Sequence, residues 1–145
     1  MQLSEKEIEE IAENLECGMR CYYNVKTGAI RTIINFDNYI GGDEEPWEED
    51  IKEIEDNWED YFEFEGFESR ESFRIMADFA EEVDNEKLQQ KLFDALNRRK
   101  PFQNFKWEID NSGEYRQKWF DYRRMRFVQH VKMQIDLKNQ GFSEL

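Results

Sequence analysis

The acidic segment from Asp43 to Glu68 constrains the fold most, because it holds 14 acidic residues and one lysine yet keeps a regular apolar pattern. Its apolar positions recur every three or four residues, at Trp47, Ile51, Ile54, Trp58 and Phe62. A helix would carry all of them on one face, with the acids opposite. Pro46 suits a helix start, and acids in a first turn favour the helix dipole. The pattern predicts an acidic amphipathic helix from about 46 to 58, then a short strand in YFEFEG.

The residues before this segment predict a helix followed by a β-hairpin. Ser4 and Glu7 fit a capping box, and the apolar residues behind them have helical spacing, so a first helix would end near Gly18. Two alternating runs flank Lys-Thr-Gly, and Gly28 suits a turn position with positive φ. The alternating residues are Cys21, Tyr23 and Val25 in one strand and Ile30, Thr32 and Ile34 in the other.

The residues after Gly66 predict helices only. Ser69 can cap one helix, Asp84-Asn85 can end it and cap the next, and Pro101 suits a fresh helix start. A long helix would then run from about 114 to 138. The predicted inner residues are Phe73, Met76, Ala77 and Ala80, then Leu88, Leu92 and Leu96, then Phe102, Phe105 and Ile109.

These elements predict an α+β fold, with a small three-stranded antiparallel sheet covered by five or six helices and a long C-terminal helix. A length of 145 residues favours a single domain. Within it, residues 1–66 would hold the hairpin, the acidic helix and the third strand. Residues 67–145 would form the helical part.

The net charge of −14 is unevenly distributed along the chain. Residues 1–96 carry 9 Lys and Arg against 28 Asp and Glu, whereas residues 97–145 carry 11 against 6. The chain as a whole repels polyanions at a distance, but a cationic surface can still attract them within a Debye length of about 8–10 Å. The acidic pI therefore hides a basic C-terminal third.

The sequence offers no motif for catalysis, a cofactor or a metal. A nucleophile elbow, a P-loop and a dinucleotide fingerprint are all absent, and a calcium-loop pattern from Glu108 fails because its twelfth position is Trp119. Cys17, Cys21 and His130 are too few for a zinc site. With no secretion signal and no apolar run long enough to span a bilayer, we expect a cytoplasmic protein with reduced cysteines.

Two basic and aromatic stretches, RRKPFQNFKW and KWFDYRRMR, contain the candidate partner-binding residues. These are Arg98, Arg99, Lys100, Lys106, Trp107, Arg123, Arg124 and Arg126. The cations could contact phosphates while Trp107 or Tyr122 stacks on bases. The favoured alternative is that Phe102, Phe105, Trp119 and Phe120 are core, with the cations outside and pairing with the acidic helix.

The sequence therefore favours a non-catalytic cytosolic module that recognises a protein partner through the acidic helix or the basic-aromatic C-terminal third. Nucleic-acid binding by the basic residues 98–126 remains open, although the net charge disfavours it. A carboxylate-based hydrolase is the third possibility, since 34 acids include no distinctive pair. The sequence is compatible with a monomer or a small homo-oligomer.

Four segments resemble an uncharacterised bacterial protein family. They are the hairpin CYYNVKTGAI, the helix entry FEGFESRESFRIMADF, the segment LFDALNRRKPFQNFK and the run KWFDYRRMR, which together cover most of residues 17–126. The resemblance implies the fold and a cytoplasmic location. It implies no activity, cofactor or site residue.

Overall fold

The computed structural model of the protein describes residues 1–34 and 45–141. These residues form a three-stranded antiparallel sheet and six α-helices, the last of which is the longest. The predicted α+β class is thereby confirmed. The chain divides into two compact units, the N-terminal unit of residues 1–66 with 127–145 and the central unit of residues 67–126. That division does not test the prediction of a single domain.

The first helix, α1, spans Glu5–Glu16 and begins as its sequence predicts. The Ser4 hydroxyl accepts the Glu7 amide hydrogen bond, and the Glu7 carboxylate accepts that of Ser4, which satisfies two backbone donors at the helix start. Its inner residues Ile8, Ile11, Ala12 and Leu15 are buried. The helix ends at Glu16, and Gly18 follows with a φ of 78°.

Strand β1 (Met19–Asn24) lies in the centre of the sheet, between β2 (Ile30–Ile34) and β3 (Tyr61–Phe64). Cys21 pairs with Thr32 on one side and with Phe64 on the other. Gly28 has a φ of 78° in the hairpin turn, as predicted, while the prediction of Val25 as a residue of the first strand is wrong. Val25 lies beyond the last residue of β1 and is 44% exposed.

The acidic helix, α2, spans Glu48–Asp56 and is shorter than predicted. A 3₁₀ turn precedes it and another, Trp58–Asp60, follows it. The predicted continuous apolar stripe is wrong at Trp58, which is 69% exposed because the helix ends before it and the 3₁₀ turn changes the helical phase. Asp43 and Glu44 lie outside the described residues.

The central unit begins with helices α3 (Ser69–Glu82) and α4 (Glu86–Leu96). The prediction of Ser69 as N-cap is wrong by one residue, because Glu68 occupies that position and forms a capping box with Glu71. Asn85 caps α4 as predicted, its side chain accepting the Leu88 amide hydrogen bond at 3.1 Å.

The core of the central unit joins α3, α4, the next helix α5 (Pro101–Asp110) and the first half of the last helix α6 (Tyr115–Asn139). In α3, Met76 and Ala80 are buried as predicted, but Ile75 and Phe79 are buried instead of Phe73 and Ala77. The buried stripe is therefore rotated by about one residue from the predicted one, while Phe73 and Ala77 pack at its edge. The core members are Ile75, Met76, Phe79, Ala80, Val83, Leu88, Leu92, Leu96, Phe105, Ile109 and Trp119.

Candidate interaction surface

Helix α5 separates an inner apolar face from an exposed face that carries both charge and aromatic rings. Phe105 and Ile109 are buried, each 1% exposed. With about 3.6 residues per turn, Trp107 lies opposite the buried pair, Phe102 lies beside that pair, and Lys106 lies between the two rings around the helix. Phe102 is 42% exposed and Trp107 is 63% exposed. Two exposed rings therefore lie on either side of a cation. The helix that carries them is held in the core by its buried residues.

The predicted core positions of Phe102 and Phe120 are wrong. Phe102 is in the first turn of α5, where helical periodicity gives its direction but not whether a neighbouring element covers it. Phe120 is 36% exposed, and the Arg116 guanidinium lies 4.7 Å from the centre of its ring. Phe105 and Trp119 are core residues as predicted, with ring centres 5.0 Å apart.

Three of the predicted cations, Arg98, Arg99 and Lys100, lie in the short connection between α4 and α5. The Arg98 guanidinium donates a hydrogen bond to the Asp94 carbonyl oxygen at 3.3 Å. Lys100 has a φ of 56° and a ψ of 55°, a left-handed conformation that is costly for a residue with a Cβ. The carbonyl oxygen of Lys100 accepts the Asn104 amide hydrogen bond, so the strained residue is tied into the first turn of α5.

The cations of this region differ in whether a carboxylate lies within ion-pair distance of them. Among the described residues, no carboxylate lies within ion-pair distance of Arg99, Lys100 or Lys106. Asp110, which is on the exposed side of α5, pairs instead with Arg116 at 3.2 Å. We refer to Arg99, Lys100, Phe102, Lys106 and Trp107 as the α5 surface. Its charge is positive in a chain whose net charge is −14.

The remaining predicted residues, Arg123, Arg124 and Arg126, lie on α6 and are half-buried. Arg126 donates hydrogen bonds from Nη1 to Asp78 at 3.0 Å and to the Tyr122 hydroxyl at 2.8 Å. Burial lowers the pKa of Arg126, but these two hydrogen bonds outweigh it and raise that pKa overall. Arg123 and Arg124 also interact with other groups. We therefore do not include these three arginines in the α5 surface.

The acidic segment forms its described ion pairs within the N-terminal unit. Arg31 of β2 donates to Asp50 of α2 at 2.6 Å, and this hydrogen bond raises the pKa of Arg31. The Tyr61 hydroxyl of β3 donates to Glu53 of α2 at 3.0 Å. These contacts show that part of the acidic charge is used to attach α2 to the sheet. Pairing of the C-terminal cations with the acidic helix stays a prediction.

Two further sequence predictions concern the cysteines and membrane spanning. Cys17 and Cys21 are both free thiols. Burial, with a smaller effect of Glu10, raises the pKa of the Cys21 thiol to about 12, which keeps it protonated and unreactive at neutral pH. Among the described helices, none combines the length and the apolar character needed to cross a bilayer.

The model of one protein family matches residues 4–142, and its description reads "Uncharacterised protein family (UPF0158)". The match confirms the family resemblance drawn from the four sequence segments. No curated protein and no solved structure matches the chain. The family description names no activity, ligand or partner.

Proposed function

Because the chain belongs to the uncharacterised protein family UPF0158, whose description supplies no activity, we propose a function from the geometry of the α5 surface. The protein is a non-catalytic cytoplasmic module that binds an acidic segment of a partner protein. The α5 surface is the contact, and its exposed rings pack against the apolar residues of that segment.

The observation that carries this proposal is the combination of cations without a partner carboxylate and exposed rings on α5 and on the connection that leads into it. Among the described residues, Arg99, Lys100 and Lys106 have no carboxylate at ion-pair distance. Trp107 and Phe102 are both exposed on α5. Cations steer an acidic partner and set its orientation, while tryptophan is among the residues that contribute most to binding free energy.

The backbone of α5 is held in place by its buried side chains, which reduces the conformational entropy lost on binding. Phe105 and Ile109 fix α5 in the core of the central unit, and Pro101 occupies its first turn. Lys100 is held in its left-handed conformation at the start of the same helix. A partner would therefore meet side chains whose backbone is already in place.

Nucleic acid is the second candidate partner, because the exposed Trp107 ring could stack on a base. DNA carries about one negative charge per 1.7 Å, so binding draws on many cations at once. The α5 surface offers three, on a chain of net charge −14. An acidic peptide of lower charge density fits this smaller number better, and we therefore favour a protein partner.

The test is site-specific photocrosslinking in cells from p-benzoylphenylalanine placed at Gln103, which is exposed between Phe102 and Trp107. We expect a protein adduct that withstands nuclease and whose crosslinked peptide, identified by mass spectrometry, is acidic. The Arg99→Glu and Lys106→Glu variants should each reduce the adduct several-fold by reversing the attraction.

The matched control places the same photoreactive residue at Gln140, an exposed glutamine of the N-terminal unit. That position should not yield the same adduct. An adduct that disappears with nuclease would replace the protein partner with nucleic acid. Equal adducts from both positions, or none from Gln103, would refute the α5 surface as the contact.

A further inference from the structure

A cavity of about 510 Å³ lies against α3 in the central unit, and no residue of α5 is in its lining. Its volume is within the range of about 300–1,000 Å³ typical of small-molecule sites. Three arginines line it, Arg70 and Arg74 from α3 and Arg126 from α6. Its apolar lining includes Phe67, Phe73 and Ala77. Guanidinium groups and an apolar wall therefore meet in one concave site.

The arginines leave the cavity with an excess of positive charge. Arg70 and Arg74 are one turn apart on α3, a like-charge spacing that is unfavourable in the absence of an anion. Asp78 is shared, since Arg74 approaches it at 3.4 Å and Arg126 at 3.0 Å. Within the described residues, no carboxylate lies at ion-pair distance from Arg70.

The acidic residue that lines the same cavity, Glu71, is engaged at the start of α3. Its Oε1 accepts the amide hydrogen bond of Glu68 at 3.2 Å as part of the capping box. Three guanidinium groups thus face two carboxylates, Glu71 and Asp78, both of which already accept hydrogen bonds. The local charge has the opposite sign to the net charge of −14, as expected of a site that attracts an anion.

Arg126 is the best positioned of the three arginines. Asp78 and the Tyr122 hydroxyl both accept hydrogen bonds from its Nη1, and its side chain is 27% exposed. A guanidinium held in this way has less conformational freedom to lose when an oxyanion binds. Arg126 therefore serves as a fixed element of the cavity, while the more exposed Arg70 and Arg74 can adjust to a ligand.

We propose that this cavity binds a small organic anion. Its carboxylate or phosphate group contacts Arg126 together with Arg70 and Arg74, and its apolar portion packs against Phe67 and Phe73. Phe73 and Ala77 are half-buried at the edge of the core, so an apolar ligand would extend that core and remove their remaining surface from water. The site does not depend on the α5 surface or on its proposed partner.

The probe is phenyl phosphate, titrated into the full-length protein by isothermal calorimetry, with benzoate as the carboxylate counterpart. We expect at least one of these to bind at millimolar or lower concentration, and inorganic phosphate and benzyl alcohol each to bind at least about tenfold more weakly. Arg70→Gln and Arg74→Gln should each weaken binding about tenfold, because each removes one charge-assisted hydrogen bond.

Arg116→Gln is the matched control, since it makes the same charge change at an exposed arginine of the same unit that lies outside both the cavity lining and the α5 surface. Its affinity for the probe should equal that of the wild type. Equal losses in Arg116→Gln and Arg70→Gln would mean general electrostatic attraction and would overturn the site. Inorganic phosphate binding as tightly as phenyl phosphate, or no binding of either aryl anion, would also overturn it.

Discussion

Helices α2 and α5 are both short, charged and amphipathic, but they are attached to the protein in opposite ways. Helix α2 has no buried residue and is fixed to the sheet by polar contacts, with Asp50 bound to Arg31 and Glu53 bound to Tyr61. Helix α5 buries Phe105 and Ile109, and its one cation, Lys106, is exposed. The more highly charged helix, α2, therefore uses part of its charge to bind the sheet. In the less charged helix, α5, Lys106 has no carboxylate at ion-pair distance among the described residues.

This difference shows why a count of charges does not identify a binding surface. The acidic segment has the larger net charge, yet its exposed ring, Trp58, is in the 3₁₀ turn after α2 and not on the helix itself. On α5, Phe102 and Trp107 flank Lys106 on one continuous helix. A partner gains most where charge and exposed rings share a rigid element, because less conformational entropy is lost on binding.

The largest expected effect is on α5. Phe105→Ala should lower the free energy of unfolding by about 3–5 kcal/mol, because it leaves a cavity in the core of the central unit. Ile54→Ala on the half-buried side of α2 should cost about 1 kcal/mol, since less apolar surface is removed. Urea denaturation monitored by tryptophan fluorescence and by circular dichroism measures both.

Phe102→Ala is the matched control for Phe105→Ala, with the same substitution on the same helix at a residue that is 42% exposed. It should change the free energy of unfolding by less than about 1 kcal/mol. Equal losses at Phe102 and Phe105 would contradict the assignment of inner and outer faces on α5. A loss at Ile54 as large as that at Phe105 would remove the contrast between the two helices.

A smaller effect is expected from the contact that attaches α2. Arg31→Gln removes the hydrogen bonds to Asp50 and Tyr61, each partner being only partly exposed, and should cost about 1 kcal/mol. Amide hydrogen exchange in α2 should accelerate while exchange in α5 stays unchanged. A double-mutant cycle with Asp50→Asn would isolate the coupling between the two side chains.

Lys26→Gln is the control for Arg31→Gln, because Lys26 also forms an ion pair, with Asp60, but its side chain is 73% exposed. We expect a change of less than about 0.5 kcal/mol. If Lys26→Gln cost as much as Arg31→Gln, or if exchange rose equally in α5, the polar attachment of α2 would be refuted.

Much of the fold could be predicted because its determinants are local in sequence. Ser4 with Glu7, Gly28, Asn85 and Pro101 act on backbone within a few residues of themselves, and the structure has each where expected. The hairpin of β1 and β2 followed from alternation and turn chemistry. Such features need no knowledge of distant partners.

The candidate sites could be predicted less well, because exposure depends on what packs from elsewhere in the chain. Phe102 has the helical phase of an inner residue but no element covers it fully. In α3 the buried stripe shifts from Phe73 to Phe79. In the sequence, Arg126 is one more cation of a basic stretch. In the structure, it donates hydrogen bonds to Asp78 and Tyr122. Periodicity gives a direction, while tertiary contacts decide the environment.

The smallest expected effect separates binding from stability at the α5 surface. Lys100 is the one non-glycine residue with positive φ among those described. Lys100→Gly relieves the clash of its Cβ, but it also gives the unfolded chain more freedom, so the free energy of unfolding should rise by less than about 1 kcal/mol. Arg99→Gly, at ordinary φ, should lower it by about 0.5–1 kcal/mol.

Both glycine variants remove one cation from the α5 surface, so both should reduce the photocrosslinked adduct from Gln103. A protein that becomes more stable while it loses partner binding would show that Lys100 is retained for contact and not for folding. If Lys100→Gly destabilised the protein as much as Arg99→Gly did, the left-handed residue would carry no relievable strain. If its adduct were undiminished, Lys100 would lie outside the contact, and the cationic part of the surface would reduce to Arg99 and Lys106.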